Sequence, residues 1–398
     1  MSEAMRIGLI TGEYPPDQGG VGDFTNRLAH ALADLGHRTH VITSAGPVSD
    51  PNLDTAQSAS RPVGVHRIVE NWGFGCWGKI LELSQDLNLE VLNIQYQAAA
   101  YDMRPAINLA PRLGRRPPAA VTFHDLKVPY LLPKAGPLRR WVVRTLARRA
   151  EGVIVTNRED ELRLSDLKPP ISNLTRIPIG SNISAMLPDR YDRDAERARW
   201  GIEPDDLLLG YFGFLNESKG GEELIRTLRL LVDQGLPAHL LKIGGRVGSS
   251  DPTNQAYADR VEQLIADLEL VERVHWTGYV TSEEVSTSLR AVDVCVLPYR
   301  DGISFRRGSL LACLAHGRAV VTTRPAVPLP EVRDGENVLL VAPENPAQLA
   351  ETVIQVSSDQ ALRARLEKGA ESLAAHFTWG RIARRSAAFF AGLIEASR

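Results

Sequence analysis

The chain has few cysteines, and none of them forms a recognisable pair. Its 398 residues include three, at Cys76, Cys295 and Cys313, and this wide spacing matches no metal-binding pattern. Cys295 and Cys313 lie in apolar runs, where we expect small buried hydrophobic side chains. An odd number of distant cysteines is typical of a protein from a reducing compartment.

Signals for entering or crossing a membrane are also missing. The segment from Met1 to Gly12 runs directly into a strand pattern, without the apolar stretch and small-residue cleavage site of a signal peptide. No segment approaches the eighteen or so apolar residues needed to span a bilayer. We therefore expect a cytoplasmic protein that at most lies peripherally on the inner face of the membrane.

The sequence has no large excess of charge of either sign. Lysine and arginine total 46 and aspartate and glutamate 48, a formal net charge of −2, so the overall charge does not favour nucleic acid as a partner. The composition, 43% hydrophobic and 24% charged, is that of an ordinary globular protein. A length of 398 residues exceeds one ordinary core, so we expect two domains.

Apolar runs of strand length alternate with amphipathic helical stretches along the whole chain, which indicates an α/β fold with parallel sheets covered by helices. The predicted strands of the first half are Arg6–Thr11, Thr39–Ser44, Val65–Val69, Val91–Gln95, Ala119–Phe123 and Val153–Thr156. Those of the second half are Leu207–Phe212, His239–Ile243, Val274–Thr277, Asp293–Leu297 and Ala319–Thr322. A polar stretch near 185–205 separates the halves and indicates a linker between them.

This pattern predicts two doubly wound, Rossmann-like domains, one over residues 1–185 and one over residues 186–377. Ligands of such sheets bind beyond the carboxyl ends of the strands. Two domains facing each other would line a cleft with these strand-end loops. The loops that follow the predicted strands are therefore the candidate binding segments.

Two of these loops are rich in glycine. After the first strand, Gly19, Gly20 and Gly22 would let the backbone approach a ligand, and the amides of the following helix favour an anion. The alternative is an ordinary flexible turn, since neither a dinucleotide fingerprint nor a Walker loop is present. After strand Leu207–Phe212, Lys219 stands at the predicted start of a helix, where a positive charge is unfavourable unless a phosphate accompanies it. An exposed lysine is the alternative.

A third loop carries paired arginines. Arg306 and Arg307 precede Gly308 and Ser309, where the next helix is predicted to start. Two guanidinium groups, a glycine and a capping serine at a helix start would hold a diphosphate well. A solvated basic turn is the alternative interpretation.

A polar pair and a basic helix complete the candidates. His124 and Asp125 end the strand Ala119–Phe123, where a histidine either serves the site or is held structurally by its own hydrogen bonds. In the helical pattern 138–150, three arginines share one face, whereas Leu138, Trp141, Val142 and Leu146 share another. The arginines are Arg140, Arg144 and Arg148. We expect the apolar face to pack on the core, the alternative being contact of the arginines with anionic lipid.

Taken together, these segments resemble the retaining GT-B glycosyltransferases of family 4, also called glycosyl transferases group 1. The resemblance covers nearly the whole chain and rests on the order and spacing of its segments. They are Gly-Gly-Val-Gly at 19–22, Val-Thr-Phe-His-Asp at 121–125, Ile-Pro-Ile-Gly-Ser-Asn at 177–182, and the segments 213–220, 275–280, 293–298, 317–322 and 329–337.

The resemblance implies transfer of a sugar from a nucleotide diphosphate-sugar to the hydroxyl of a glycan or lipid-linked acceptor, with retention and without metal or other cofactor. Envelope or exopolysaccharide assembly is the implied context. The last helix, over residues 378–398, is implied to pack back on the first domain. His124 matches a histidine near the donor sugar and Lys219 the diphosphate lysine. The expected donor-binding residues are Gly20, Gly22, Asn216, Lys219, Tyr279, Val280, Ser304, Arg306, Arg307, Gly308 and Ser309.

Two departures from the family pattern concern charge. Phe214 stands where the family carries an arginine, and Ser304 and Ala312 stand where it carries two glutamates that contact the donor sugar and ribose. We hypothesise that Arg306 or Arg307 replaces the cation. Asp301 would replace the sugar-contacting carboxylate and join His124 and Lys219 in catalysis.

Three functions compete on this basis. An active glycosyltransferase is the leading prediction. A catalytically silent GT-B protein that binds a nucleotide-sugar or a partner enzyme is favoured by the two missing glutamates, and opposed by Lys219, His124 and the glycine loops. A nicotinamide oxidoreductase is excluded because neither half carries the dinucleotide fingerprint after its first strand.

Overall fold

The computed structural model describes residues 4–17, 19–46, 62–109, 116–126, 136–247 and 252–398, with the backbone alone described at 136–140, 252 and 253. The chain forms two compact units. Unit 1 comprises Met1–Gly180 and Thr378–Arg398, and unit 2 comprises Ser181–Phe377. The C-terminal segment thus belongs to the same unit as the N-terminal half.

Parallel strands form one sheet in each unit. In the described part of unit 1 the strands are β1 (Arg6–Ile10), β2 (Arg38–Ser44), β3 (Gly64–Val69), β4 (Val91–Tyr96), β5 (Ala119–Phe123), β6 (Gly152–Val155) and β7 (Leu174–Arg176). In the described part of unit 2 the strands are β8 (Leu207–Phe212), β9 (Ala238–Ile243), β10 (Val274–Trp276), β11 (Val294–Leu297), β12 (Ala319–Thr323) and β13 (Leu339–Val341).

Helices connect the strands and cover the sheets. Numbered along the chain, the α-helices of the described residues are α1 (Gly20–Asp34), α2 (Cys76–Asp86), α3 (Ala106–Leu109), α4 (Gly136–Arg149), α5 (Arg158–Ser165), α6 (Arg193–Ala198), α7 (Gly221–Asp233), α8 (Pro252–Asp267), α9 (Ser282–Ala291), α10 (Gly308–Ala315), α11 (Pro346–Ser358), α12 (Gln360–Ala374) and α13 (Trp379–Ser397). None of the helices in the described residues is both long and apolar enough to cross a membrane.

Both sheets follow the doubly wound order. The strand order is β3-β2-β1-β4-β5-β6-β7 in unit 1 and β10-β9-β8-β11-β12-β13 in unit 2. The chain therefore reverses its direction of winding between β1 and β4, and again between β8 and β11. Loops that leave the carboxyl ends of such neighbouring strands diverge and open a crevice, which is where ligands of these sheets bind.

Burial on both faces explains the apolar strands. In β1, Ile7, Leu9 and Ile10 are fully buried, with Ile10 in the core on one face and the other two in the core on the opposite face. Helix α13 completes one of these cores: Phe390 is fully buried in it. The approach is close, because a Cβ on Gly152 would lie 2.6 Å from the Phe389 ring.

The predicted α/β class and the pair of Rossmann-like units are confirmed. Every predicted strand is present, with each end within one residue of its predicted position. Strands β7 and β13, each of three residues at a sheet edge, were not predicted. The expectation that Gly20 and Gly22 lie in the loop ahead of the first helix is wrong, since α1 already begins at Gly20.

Candidate functional site

The loops after β8 and β11 come together at the winding reversal of unit 2. Gly220, with φ of +72°, lies so close to the β11 loop that a Cβ there would stand 1.9 Å from the carbonyl oxygen of Pro298. The backbone amide of Arg300 donates to the carbonyl of Ser218 at 3.0 Å. Only glycine permits both this dihedral angle and this contact, so Gly220 lets the two loops meet.

Lys219 is held inside this pair of loops. Its Nζ donates to the carbonyl oxygen of Phe214 at 3.0 Å. A Cβ on Gly213, where φ is +120°, would lie 3.5 Å from that Nζ and 3.9 Å from Oγ of Ser309. Burial, together with the charge of Arg307, lowers the pKa of Lys219 to about 8. A bound anion would therefore stabilise the charged form of this lysine.

The predicted helix start at Lys219 is displaced. Lys219 ends a short 3-10 turn, Glu217–Lys219, and α7 begins two residues later at Gly221. Asn216 precedes the turn, and its side-chain oxygen accepts from Oγ of Ser218 at 2.9 Å. Asn216 thus orders the turn that carries Lys219.

A second lysine, absent from the sequence-based candidates, lies beside the first. Lys242 in β9 is buried, and its Nζ donates to the carbonyl of Gly244 at 2.7 Å and to that of Gly245. Burial, together with the charge of Lys219, lowers its pKa to about 7. The sequence signal for this residue is a lysine near the end of a largely apolar strand.

Arg306 and Arg307 both bind the carboxylate of Asp301. Nη2 of Arg306 lies 2.6 Å from Oδ2 of Asp301, and Arg307 pairs with Oδ1. The guanidinium of Arg307 also lies 4.7 Å from the ring centroid of Tyr299 and 3.4 Å from Oγ of Ser218. The two cations predicted to hold a diphosphate therefore already share an internal carboxylate.

The start of α10 differs from the prediction in one respect. Gly308 is its first residue, but Ser309 does not cap it: the N-cap position belongs to Arg307, which makes no side-chain capping bond. The Ser309 hydroxyl is instead hydrogen-bonded to the hydroxyl of Tyr299 at 2.8 Å. The Ser309 hydroxyl is thereby held by Tyr299, and the residue lies beside Gly213, as does Nζ of Lys219.

Two exposed aromatic rings, Phe214 and Tyr279, lie just beyond the carboxyl ends of β8 and β10, which flank β9. Tyr279, after β10, is 72% exposed, and its hydroxyl donates to the carbonyl of Val247 at 2.9 Å. Its ring lies over Gly245, where a Cβ would come within 2.6 Å, and 6.0 Å from the ring of Phe214. Val280, the next residue, is half-buried.

In unit 1, the glycine loop holds an internal anion. Oε1 of Glu13 accepts from the amides of Val21 at 2.9 Å and Gly22 at 3.1 Å, in the first turn of α1. The amides that were predicted to meet a ligand anion are therefore bonded to this carboxylate. At Gly20 a Cβ would meet nothing within 4 Å, so this glycine borders open space.

His124 directly follows β5 and is the first member of a hydrogen-bonded chain of buried side chains. Its Nε2 donates to Oε1 of Gln95 at 2.9 Å, the Gln95 amide donates to Asn93, and the Asn93 amide donates to Oγ1 of Thr122 at 3.0 Å. The ring packs edge-on against Phe24 of α1, 4.7 Å between centroids. Burial lowers the pKa of His124 to about 3, so the ring is neutral near pH 7. With Nε2 as donor, Nδ1 carries the lone pair.

Comparison with known families assigns both halves of the chain. Residues 19–180 match the family model described as "Glycosyl transferase 4-like domain", and residues 206–359 match "Glycosyl transferases group 1". The chain belongs to the group 1 glycosyl transferases.

Individual relatives are distant from this member of the group 1 glycosyl transferases. It is 28% identical over 207 residues to D-inositol 3-phosphate glycosyltransferase of Streptomyces bingchenggensis, covering 52% of this chain and 45% of the relative. The chain thus spans about half the length of that relative. It is 23% identical over 379 residues to 2-deoxystreptamine glucosyltransferase of Streptomyces kanamyceticus, covering 88% and 93%. HepE of Anabaena, crystallised with UDP, has the same fold, with a TM-score of 0.76, 18% identity, and 98% and 100% coverage.

The positions where this group 1 glycosyl transferase departs from the family lie inside unit 2. Ser304 is buried and its Oγ accepts a long, 3.5 Å bond from the amide of Arg306, while Ala312 is fully buried in α10. Phe214 places its ring 5.9 Å from Nζ of Lys219. The carboxylate that the loop does contain, on Asp301, faces the arginines.

The basic helix α4 of unit 1 is only partly as predicted. Val142 and Leu146 are buried as expected, but Trp141 is 55% exposed, so the expectation that it packs in the core is wrong. Arg144 and Arg148 are exposed, and the side chain of Arg140 lies outside the described residues. Among the described residues, no cluster of three His, Cys, Asp or Glu side chains is arranged to hold a metal ion.

Proposed function

We propose that the chain transfers a sugar from a nucleotide diphosphate-sugar to an acceptor hydroxyl, with retention of configuration. The observation that supports this most directly is the convergence of Lys219 and Ser309 at Gly213, beside Arg307, at the winding reversal of unit 2. The family of the chain and the UDP in the crystallised HepE agree with a nucleotide diphosphate as the leaving group.

The proposed chemistry is stabilisation of the charge that develops on the leaving diphosphate. Lys219 and the arginines supply positive charge, and partial burial makes each interaction stronger than it would be in water. His124 is neutral and presents Nδ1 as an acceptor, so we assign it a hydrogen bond from a sugar hydroxyl rather than proton donation. The exposed pair Phe214 and Tyr279 offers an apolar surface for the base.

We expect turnover to survive chelation. Cationic side chains of the protein would neutralise the leaving group, which is the role that a divalent cation plays in other transferases. Activity measured in EDTA should equal activity in magnesium or manganese. Loss of turnover in EDTA, restored by either metal, would contradict the proposal.

A binding panel followed by a turnover assay tests the function itself. Each nucleoside diphosphate and its sugar conjugates are added in a thermal-shift experiment, since a ligand that binds the folded state stabilises it by RT ln(1 + [L]/Kd). The best donor is then assayed for sugar transfer and for slow hydrolysis. Binding of a bare diphosphate with subsequent turnover of its conjugate supports the proposal, and failure of every diphosphate to bind would overturn it.

A silent binding protein is the second candidate. It is favoured by Ser304 and Ala312, which supply no carboxylate, and by the engagement of Asp301 with both arginines. This candidate predicts tight binding of a nucleotide-sugar without turnover of any conjugate in the same panel.

We further propose a glycan or lipid-linked acceptor in envelope or exopolysaccharide assembly. Exposed Trp141, Arg144 and Arg148 on α4 combine an aromatic ring with positive charge, which suits peripheral contact with an anionic membrane. This contact would place a cytoplasmic enzyme beside a membrane-bound acceptor.

A further inference from the structure

Unit 2 contains a polar cavity at the amino ends of its strands, on the side of the sheet opposite the proposed donor site. The cavity has a volume of about 250 Å³ and lies at the amino ends of β11 and β12, between α6 and α12. Its lining residues are Arg193, Val292, Asp293, Arg318, Arg363 and Glu367. The function proposed above uses none of them, because the carboxyl ends of parallel strands lie at the other edge.

Positive charge predominates around the cavity. Three guanidinium groups and two carboxylates line it, and both carboxylates are already engaged. Asp293 pairs with Arg193 at 2.6 Å and with the buried Arg197 at 3.1 Å. Glu367 pairs with Arg318 at 3.4 Å, so both carboxylates of the lining already have an arginine partner.

Arg318 is the most unusual member of this group. Its side chain is 13% exposed, yet its contacts are all long: 3.4 Å to the carbonyl of His316, 3.3 Å to that of Val292 and 3.4 Å to Glu367. Ordinary N–H···O bonds have donor–acceptor distances of about 2.7–3.2 Å. A buried guanidinium is usually satisfied by stronger partners.

Neighbouring positive charges further destabilise the charged form of Arg318. Burial lowers its pKa, and the charges of Arg290 and Arg193 lower it further, against the opposing effect of Glu367. Arg290 is fixed nearby by a 3.0 Å bond from its Nη1 to the carbonyl of His316. An anion placed among these groups would offset the repulsion and supply short acceptors.

We infer that this cavity binds a phosphate group, either as inorganic phosphate or as part of a sugar monophosphate. Guanidinium forks match the oxygen geometry of phosphate, and several of them converge here. A volume of about 250 Å³ lies below the usual range for larger ligands, so it suits a phosphate or a small phosphate ester rather than a whole nucleotide-sugar. The site would be an effector site, distinct from the donor site, because the proposed transfer releases a nucleoside diphosphate and neither of these ligands.

Two substitutions with opposite expected effects on phosphate affinity test the inference. Binding of inorganic phosphate and of glucose 6-phosphate is measured by calorimetry at constant ionic strength, with chloride as the reference anion. Arg363→Gln should weaken both ligands by roughly ten- to a hundred-fold, because it removes one charge-assisted contact. Glu367→Gln should tighten both, because it removes a competing carboxylate. Lys368→Gln, an exposed change on the same helix, is the matched control.

The proposed donor site must be kept separate in this experiment. Lys219→Ala should leave phosphate binding at the cavity intact, whereas loss of binding in this variant would place the phosphate at the donor loops and overturn the inference. Preference for glucose 6-phosphate would identify a sugar monophosphate, and preference for phosphate the free anion; both support the site. Unchanged affinity in Arg363→Gln, no tightening in Glu367→Gln, or no advantage over chloride in the native protein would each overturn it.

Discussion

Lys219 shows how one residue can carry much of the proposed donor binding. The sequence suggested it because a lysine beside a helix start is unfavourable without an anion. The structure adds two facts that no sequence pattern contains: the pKa of Lys219 is lowered by burial, and a buried lysine, Lys242, has its own pKa lowered in part by the charge of Lys219. Both depend on the packing of neighbouring loops, which is why sequence reasoning could not supply them.

Nucleoside diphosphate binding should weaken as pH rises above 8. The bound anion favours charged Lys219, whose pKa in the free protein is about 8, so at higher pH the ligand must bind with uptake of a proton. Lys219→Ala and Arg306→Ala should each cost about one to two decades in affinity. Calorimetric titrations from pH 7 to 9 measure this, with Lys219→Arg as the control that stays charged. Unchanged affinity in both alanine variants would refute the assignment.

Asp301 can act on the donor in two ways that one substitution distinguishes. If its carboxylate contacts the donor sugar, Asp301→Asn should spare the bare diphosphate and weaken the nucleotide-sugar. If it instead occupies Arg306 and Arg307 until a diphosphate displaces it, Asp301→Asn should tighten the bare diphosphate. We expect tightening, because both carboxylate oxygens face the arginines. The ratio of the two affinities is measured in each protein, and equal weakening of both ligands would exclude both roles.

At the scale of elements, the spacing of apolar residues and the positions of glycines predicted most of the fold. The central strand β8 is buried except at its last residue, so its sequence is a continuous apolar run, whereas β4 is buried throughout but carries the polar Asn93 and Gln95. The start of α1 was missed because Gly20 and Gly22 have poor helix propensity, and the carboxylate of Glu13 stabilises the first turn instead. That contact joins residues eight or nine positions apart through a loop, which periodicity does not reveal.

Helix α13 should be required for the stability of unit 1. Phe390 is fully buried in the core that includes Phe24 and Leu28 of α1, and truncation of a buried phenylalanine typically costs about 3–5 kcal/mol. In Phe390→Ala, amide hydrogen exchange along α1 should accelerate, while exchange in β8 of unit 2 should not change. Arg384→Ala, an exposed change on the same helix, is the control. Equal protection of α1 in all three proteins would show that α13 contributes little.

At the scale of the whole molecule, the near-zero net charge does not reveal that most of the histidines are buried and have lowered pKa values. Burial lowers the pKa of His37, His40, His66, His124, His239, His275 and His316. Two pairs, His40 with His66 and His239 with His275, join neighbouring strands of the two sheets through ring-nitrogen contacts of 3.1 Å. The composition showed nine histidines but not that these seven fold in the neutral state.

The folded protein should consequently lose stability in mild acid. A histidine whose pKa is lowered by folding binds fewer protons in the native than in the unfolded state, so its contribution is complete above its ordinary pKa of 6.5 and is lost as the pH falls below it. For His124, with a pKa of about 3, the loss at pH 5 is on the order of 2 kcal/mol. Denaturant unfolding at pH 7.5 and pH 5 measures the total. His124→Gln should reduce the difference in the free energy of unfolding between the two pH values. The exposed His376→Gln is the matched control. Equal stability of the native protein at both pH values would show that the histidines do not fold in the neutral state.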